Sequence, residues 1–256
     1  KELNYNVQIR YNITKEECIN STYNELYIFL NVNMINHDMF PKLFIVYQLE
    51  QSKSNWFNQK YLSYLDKCNN IWEISIKNTE RYKQIKTDKL LYLMIPFYYD
   101  DINIEASDIE YDIFFYGCKN IRRHNILNYL SKIFNVKIGF GIFGDERDKL
   151  IQKSKIILNL HYYNDPALES CRINEILKYN KIIISENSSE SDWYNKSLYS
   201  NIVDFIDIIN NDLSNINILV NRIKYYLDVN NYNTKIDIMK QNKIELHNKS
   251  KFNLCK

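Results

Sequence analysis

Short apolar runs rich in β-branched and aromatic residues recur along this chain, separated by polar stretches in which apolar residues return every three or four positions. The alternation is most regular in the second half. There DIFFY (112–116), the run 136–143, KIILNLH (155–161), KIIIS (181–185) and 201–205 predict strands. Between them RRHNILNYLSKIF (122–134), 145–154 and 169–180 predict helices, and a long final helix follows 205. The first half is looser, with strands expected over 7–13, 25–32, 42–48, 70–75 and 90–97 and helical spacing over 55–65 and 78–86. Strands that alternate with helices of this length make βαβ units and parallel sheets. Runs as apolar as KIILNL and KIIIS suit sheets covered on both faces.

The stretch 98–110 is acidic and aperiodic and reads as a linker. The expected fold class is therefore α/β, with two Rossmann-like lobes whose parallel sheets face a cleft: 1–108, 109–230, and a polar helix or tail over 231–256. Sheets of this kind bind ligands outside the carboxyl ends of their strands, where strand order reverses. The residues just after each strand are the ones to weigh.

Composition narrows the function classes. Of 256 residues 45% are hydrophobic, enough for a sizeable core, and 33 Lys and Arg nearly balance 31 Asp and Glu. No basic block stands out, which disfavours a nucleic-acid partner. No apolar run is long enough for a membrane span. Five widely spaced cysteines, without CxxC or a Cys/His cluster, read as reduced thiols in a cytoplasmic compartment and offer no metal site. Abundant Asn and 22 Tyr beside 4 Gly and 3 Pro follow from AT-rich coding and carry no functional weight.

Three motifs carry candidate chemistry. Gly139-Phe-Gly141-Ile-Phe-Gly144 spells the GxGxxG of dinucleotide sites, and Asp165 lies 21 residues beyond Gly144. That fingerprint places its first Gly at a strand end, leaving only 136–138 as strand with Lys137 in its middle. Phe140 and Phe143 read better as strand residues, with Gly141 approaching a ligand at the strand's end. In Phe115-Tyr-Gly117-Cys-Lys-Asn-Ile-Arg122-Arg123, two arginines open a helix, where the macrodipole disfavours cations. A shared anion such as diphosphate explains them; a solvated turn paired with acids such as Glu110 is the plainer alternative. In the third, the strand ending Asn159-Leu-His161 leads through Pro166 to a helix where Glu169, Arg172 and Glu175 stand three apart on one side. Carboxylates there can take ribose hydroxyls and Arg172 a phosphate, or the three can form surface ion pairs. The next strand ends in Ser185-Glu186.

Taken in order, DIFFYG…RR, LNLH, E-x2-R-x2-E-I-L and IIISE resemble the donor lobe of GT-B glycosyltransferases, most closely the bacterial and large-virus group called glycosyltransferase family 1-like. The resemblance covers 112–205, and reaches the first lobe weakly through Val46-Tyr-Gln-Leu-Glu50-Gln51 and Trp72-Glu-Ile-Ser75-Ile-Lys-Asn78. It implies a nucleotide-sugar, UDP- or GDP-type, as substrate rather than cofactor, with Glu175 on the ribose. It also implies 159–169 near the sugar and diphosphate, and Gly117, Arg122 and Arg123 near the phosphates. Such enzymes work without metal, and Asp100-Asp101 and Asp204-x-x-Asp207 do not make the Asp-x-Asp of the metal-dependent fold. One departure concerns the retaining signature, two glutamates separated by seven residues. Counting back from Glu175 puts the earlier one at Ala167, while only five residues separate Glu169 from Glu175. Retention or inversion stays open.

An inverting enzyme needs a base for the acceptor hydroxyl. Glu50, at the end of KLFIVYQ, is best placed, ahead of His37 and Asp38; His161 could bond sugar or phosphate, and His124 reads as structural. The expected activity is sugar transfer to a hydroxyl of a glycan or protein-linked acceptor, in the cytoplasm (of the host, if the source is viral). A start at Lys1 rather than Met leaves room for other domains of a longer polypeptide. The rivals are a non-catalytic binding module of the same fold and an NAD-dependent oxidoreductase using 139–144.

Overall fold

The computed structural model describes residues 5–30, 32–81, 87–93, 108–164, 166–188 and 197–252. The chain divides into two compact units, Lys1–Leu93 and Met94–Lys256. Each is built around its own parallel sheet.

In the first unit β1 (Tyr27–Phe29), β2 (Phe44–Gln48), β3 (Asn70–Glu73) and β4 (Leu90–Tyr92) lie side by side in chain order, each parallel to the next. β2 is buried along its whole length, as FIVYQ requires. Besides α1 (Lys15–Asn20), the unit has α2 (Gln59–Lys67), which sets Tyr61, Tyr64 and Leu65 into the same core. The Asn58 side chain caps α2 by accepting the Tyr61 N–H at 3.1 Å.

Three expectations change here. The strand expected over 7–13 does not form: its alternation of apolar and polar residues finds no neighbouring strand among the described residues, and Val7 and Ile9 are 77% and 90% exposed. Within 78–86 the described part is a short 3-10 helix, Ile76–Arg81, and 82–86 lie outside the described residues. β4 ends at Tyr92, and 94–97 of the expected strand likewise lie outside.

Among its described residues the second unit has five parallel strands: β5 (Tyr111–Gly117), β6 (Val136–Phe140), β7 (Ser154–Asn159), β8 (Ile182–Glu186) and β9 (Asp204–Ile206), in the order β6-β5-β7-β8-β9. Successive strand residues face opposite ways, and the packing shows it. Ile113, Phe115, Ile156, Leu158, Ile182 and Ile184 join one core cluster, with α3 (Ile121–Leu130) and α6 (Ile216–Leu227). Phe114, Tyr116, Ile157 and Ile183 join the other, with α4 (Gly144–Gln152), α5 (Ser170–Leu177) and α7 (Val229–Phe252). A sheet covered on both faces is what the continuous apolar runs predict.

Boundaries differ where glycine chemistry decides them. The strand expected to reach 143 stops at Phe140, because Gly141 turns the chain at φ 72 and Gly144 opens α4 at φ 57. The long final helix is two helices, broken at Asp228, whose carboxylate takes the Asn230 and Asn231 N–H groups at 3.1 Å each. The polar stretch 231–256 is helical through Phe252. Of the linker expected over 98–110, residues 98–107 lie outside the described residues. No helix among the described residues is long and apolar enough to cross a membrane.

Candidate functional site

Numbered within its own unit, the second sheet runs 2-1-3-4-5, so strand order reverses at β5, and the crevice between the carboxyl ends of β5 and β7 is where such a sheet takes a ligand. Gly117 ends β5, Asn159 ends β7, and Ser185 and Glu186 end β8.

Gly117 adopts φ 144. A Cβ there would lie 3.1 Å from Arg172 Nη2 and 3.3 Å from Arg123 Nη1, so two guanidinium groups converge on the backbone that glycine leaves bare. Arg123 comes from α3, whose N-cap Asn120 accepts the Arg123 N–H at 2.7 Å and donates from its side chain to the Tyr162 carbonyl at 3.0 Å. Its side chain is only 2% exposed and lies between the Phe115 and Tyr162 rings, 5.3 Å from each centroid. It donates to the Leu160 and Cys118 carbonyls. Burial lowers its pKa to about 10. Arg172, on α5, donates to Asn159 Oδ1 at 2.9 Å, and Asn159 in turn donates to Ser185 Oγ at 3.0 Å.

The carboxylate of Glu169 serves both cations, 3.2 Å from Arg172 and 4.0 Å from Arg123. Burial raises its pKa, but the groups around it, Arg172 foremost, outweigh that and hold it below the usual range. The neighbouring Ser170 Oγ is buried without a hydrogen bond at the first turn of α5. Two largely buried cations therefore share one anion, at a helix N-terminus with an unspent hydroxyl. Uncompensated buried charge is expensive, and an anion such as a diphosphate balances it.

Arg122 has a different fate. It grips Glu186 by a two-pronged fork, Nη1 to Oε1 at 2.6 Å and Nη2 to Oε2 at 2.8 Å, and donates to the Ile209 and His161 carbonyls. Glu186 is fully buried and also accepts the His161 N–H at 2.7 Å and the Ile209 N–H at 2.8 Å. This hub ties α3 to the loops after β7, β8 and β9. Glu110, the partner considered for the arginines, pairs with Lys153 instead.

His161 is fully buried with Nε2 2.9 Å from the Glu186 carbonyl. A carbonyl only accepts, so Nε2 carries the hydrogen and Nδ1 is a bare acceptor, without a hydrogen-bond partner. Burial lowers its pKa, keeping the ring neutral. Such a nitrogen suits a hydroxyl, not a phosphate oxygen.

Glu175, one turn and a half along α5 from Arg172's partner Glu169, accepts Arg147 Nη2 from α4 at 2.5 Å. Arg147 also donates to Asp148, and its guanidinium lies 5.7 Å from the Tyr116 ring centroid. Arg172 lies 5.0 Å from that centroid. Arg147 and Tyr116 were invisible as site residues in the sequence. Arg147 sits in GDERDKL, which reads as any charged helix, and Tyr116 as one more strand aromatic.

Gly141 does not join this group; a Cβ there meets nothing within 4 Å. Gly139 lies inside β6, where a Cβ would press on the Phe114 ring at 3.0 Å, so it is a packing glycine. β6 is an edge strand, whereas the dinucleotide fingerprint belongs at the switch point. Asp165 lies outside the described residues. Among them no three His, Cys, Asp or Glu gather as a metal ligand set.

Glu50 belongs to the first unit, in a loop pinned by buried polar groups. Gln48 Oε1 accepts the Glu50 N–H at 2.8 Å, and Gln48 and Asn78 donate to its carbonyl at 2.6 and 3.0 Å. Asn78 also donates to the buried Glu73 at 3.0 Å and accepts the Ser52 N–H at 2.8 Å. The Glu50 carboxylate itself makes no hydrogen bond among the described residues. The two strings that carried the weak first-lobe resemblance thus meet in one network.

No family model matches the chain. Uncharacterized protein R358 of Acanthamoeba polyphaga mimivirus is 37% identical over 162 residues, 60% of this chain and 57% of that protein, so the match spans little more than half the relative's length. Among solved structures, HepE of Anabaena in complex with UDP-glucose superposes with a TM-score of 0.55 at 9% identity, over 83% of this chain and 72% of that one. Sucrose-phosphate synthase of Thermosynechococcus elongatus gives 0.54 at 11% over 84% and 66%, and TarM 0.53 at 12% over 87% and 50%. These are GT-B glycosyltransferases, and the likeness shows that α/β fold for this chain.

Proposed function

We propose that the chain is a glycosyltransferase that holds a nucleotide-sugar through its second unit and passes the sugar to a hydroxyl of a glycan or protein-linked acceptor. The observation that carries this reading is the surplus of buried positive charge at Gly117, where Arg123 and Arg172 share Glu169 at the switch point of the sheet. Charge that exceeds its partners at the mouth of a parallel sheet is poised for a diphosphate, both in the bound donor and in the departing nucleotide. The fold's likeness to HepE, solved with UDP-glucose, adds weight.

Arg123 and Arg172 supply the charge that a leaving diphosphate needs, which makes transfer metal-independent. Glu175 has one oxygen on Arg147 and the other open, and takes the ribose diol. Glu169, Asn159 and His161 line the sugar side, with His161 Nδ1 accepting from a hydroxyl. Arg122, Ser185 and Glu186 build the frame beneath them. Residues 109–230 form the donor-binding lobe and 1–108 the acceptor side, where the open Glu50 carboxylate is the candidate base. We place the protein in the cytoplasm. The dinucleotide reading loses its ground, because Gly139 packs inside an edge strand.

A thermal-shift screen against UDP, GDP, their sugar conjugates and NADH tests the proposal, since a ligand that binds only the folded chain raises its melting point. A shift with a nucleotide-sugar, lost in Arg172→Ala, is expected. A shift with NADH alone overturns it, and binding without any turnover favours the non-catalytic module.

A further inference from the structure

We infer that Arg147 is a positioning residue of the nucleoside subsite: it holds Glu175 by one carboxylate oxygen, so that the other is presented to the ribose diol. This rests on the donor-site reading above.

Glu175 sits on α5 with its side chain 32% exposed. A glutamate so placed, left to itself, samples several rotamers, and each ribose hydroxyl it meets would have to select one. Arg147 removes that freedom. Its own fork is fixed on two sides: Nε and Nη2 reach Asp148 Oδ1 at 3.0 and 2.9 Å, and the guanidinium lies against the Tyr116 ring. Arg147 Nη2 then meets Glu175 Oε1, while Oε2 has no hydrogen bond among the described residues.

The Tyr116 ring joins this arm to the other. Arg172 lies 5.0 Å from the same centroid, and each of the two arginines holds one carboxylate of α5, Arg172 with Glu169 and Arg147 with Glu175. Tyr116 is buried at 7% exposure and its hydroxyl has no hydrogen bond, so the ring acts here as a fixed face for two cations. One arm carries the charge for the diphosphate and the other carries the ribose carboxylate. A planar fork suits this task better than an ammonium, which offers no second contact to lock its direction.

The test is calorimetric titration of the chain with UDP, GDP and ADP, followed by the 2′,3′-dideoxy analogue of whichever binds tightest and by inorganic diphosphate. Arg147→Met is expected to lose about ten- to a hundredfold in affinity for the nucleotide, the range for one charge-assisted hydrogen bond. It should bind the dideoxy analogue and diphosphate as the unaltered chain does. Arg147→Lys should recover only part of the loss. Because Arg147 acts through Glu175, the double variant Arg147→Met/Glu175→Gln should bind no worse than Glu175→Gln alone. Circular dichroism and melting points accompany each variant, and if Arg147→Met does not fold, Arg147→Lys and the Glu175→Gln background carry the same comparison. Unchanged nucleotide binding by Arg147→Met, or equal weakening toward nucleotide and dideoxy analogue, overturns the inference. If the unaltered chain binds none of the three nucleotides, the donor-site reading itself fails; if it binds them but ignores the loss of both hydroxyls, only the ribose contact and Arg147's role fall.

Discussion

Arg122 and Glu186, 64 residues apart in the chain, face each other as a two-point fork with N–O distances of 2.6 and 2.8 Å, at 9% and 0% side-chain exposure. Glu186 accepts two backbone N–H groups besides, so this pair fastens the loops that carry His161 and Ile209. Removing one partner of a buried pair strands the other's charge, which costs about 3–5 kcal/mol. Arg122→Met should lower the unfolding free energy by that amount in urea titration. A loss under about 1 kcal/mol would mean the fork is not the fastening.

Gly117 is held at φ 144 with two guanidinium groups beside the place a Cβ would take. In Gly117→Ala the new methyl meets both at 3.1 and 3.3 Å, on top of a backbone strain of about 1–3 kcal/mol. Displacing Arg123 and Arg172 together should weaken nucleoside diphosphate binding about tenfold, read by titration calorimetry. Gly141→Ala, with nothing within 4 Å of its Cβ, should leave that affinity intact despite its own strain at φ 72. Equal loss in both variants would show that strain, not the guanidinium pair, sets binding.

Burial holds His161 below its usual pKa near 6.5. Above that value the ring is neutral in both folded and unfolded chains and contributes no pH dependence. Below it the unfolded chain takes up a proton that the folded chain resists, so stability falls as pH drops from 6.5. Between pH 6.5 and 5, the window above the range where Glu169 titrates, the melting point should fall less steeply in His161→Gln than in the unaltered chain. Parallel slopes would place the proton uptake elsewhere.

Asn78 bonds Glu50, Ser52 and Glu73 at once. Asn78→Ala strips a donor from two acceptors and an acceptor from one N–H, and should cost about 1–3 kcal/mol. If Glu50 is the base, kcat should fall with little change in KM for the donor, because the loop and not the donor site is disturbed. A rise in donor KM with unchanged kcat would contradict that assignment.

The sheet of the second unit was legible because β5, β7 and β8 are apolar on both faces, a signal that survives without any knowledge of partners. Its boundaries were not, since Gly141 turns the chain between Phe140 and Phe143, two aromatics that read as strand. Residues 7–13 show the converse: alternation was present, but alternation makes a strand only where another strand lies beside it. Within the site, Gly117, Arg123, Glu169 and Arg172 could be picked out by their place after strands, yet the sequence treated Arg122 and Arg123 as equals. Their difference depends on Glu186, which reaches Arg122 only through the folding of β8. Arg147 went unseen for the same reason, because its pairing with Glu175 requires α4 and α5 to share one face of the sheet.

The most direct measurement is release of nucleoside diphosphate from UDP- and GDP-sugars incubated with the chain and a mixed pool of glycan acceptors. Release is expected with one nucleotide class, abolished in Arg172→Ala and reduced in Glu175→Gln without unfolding. No release from any donor, together with binding of NADH, would contradict it.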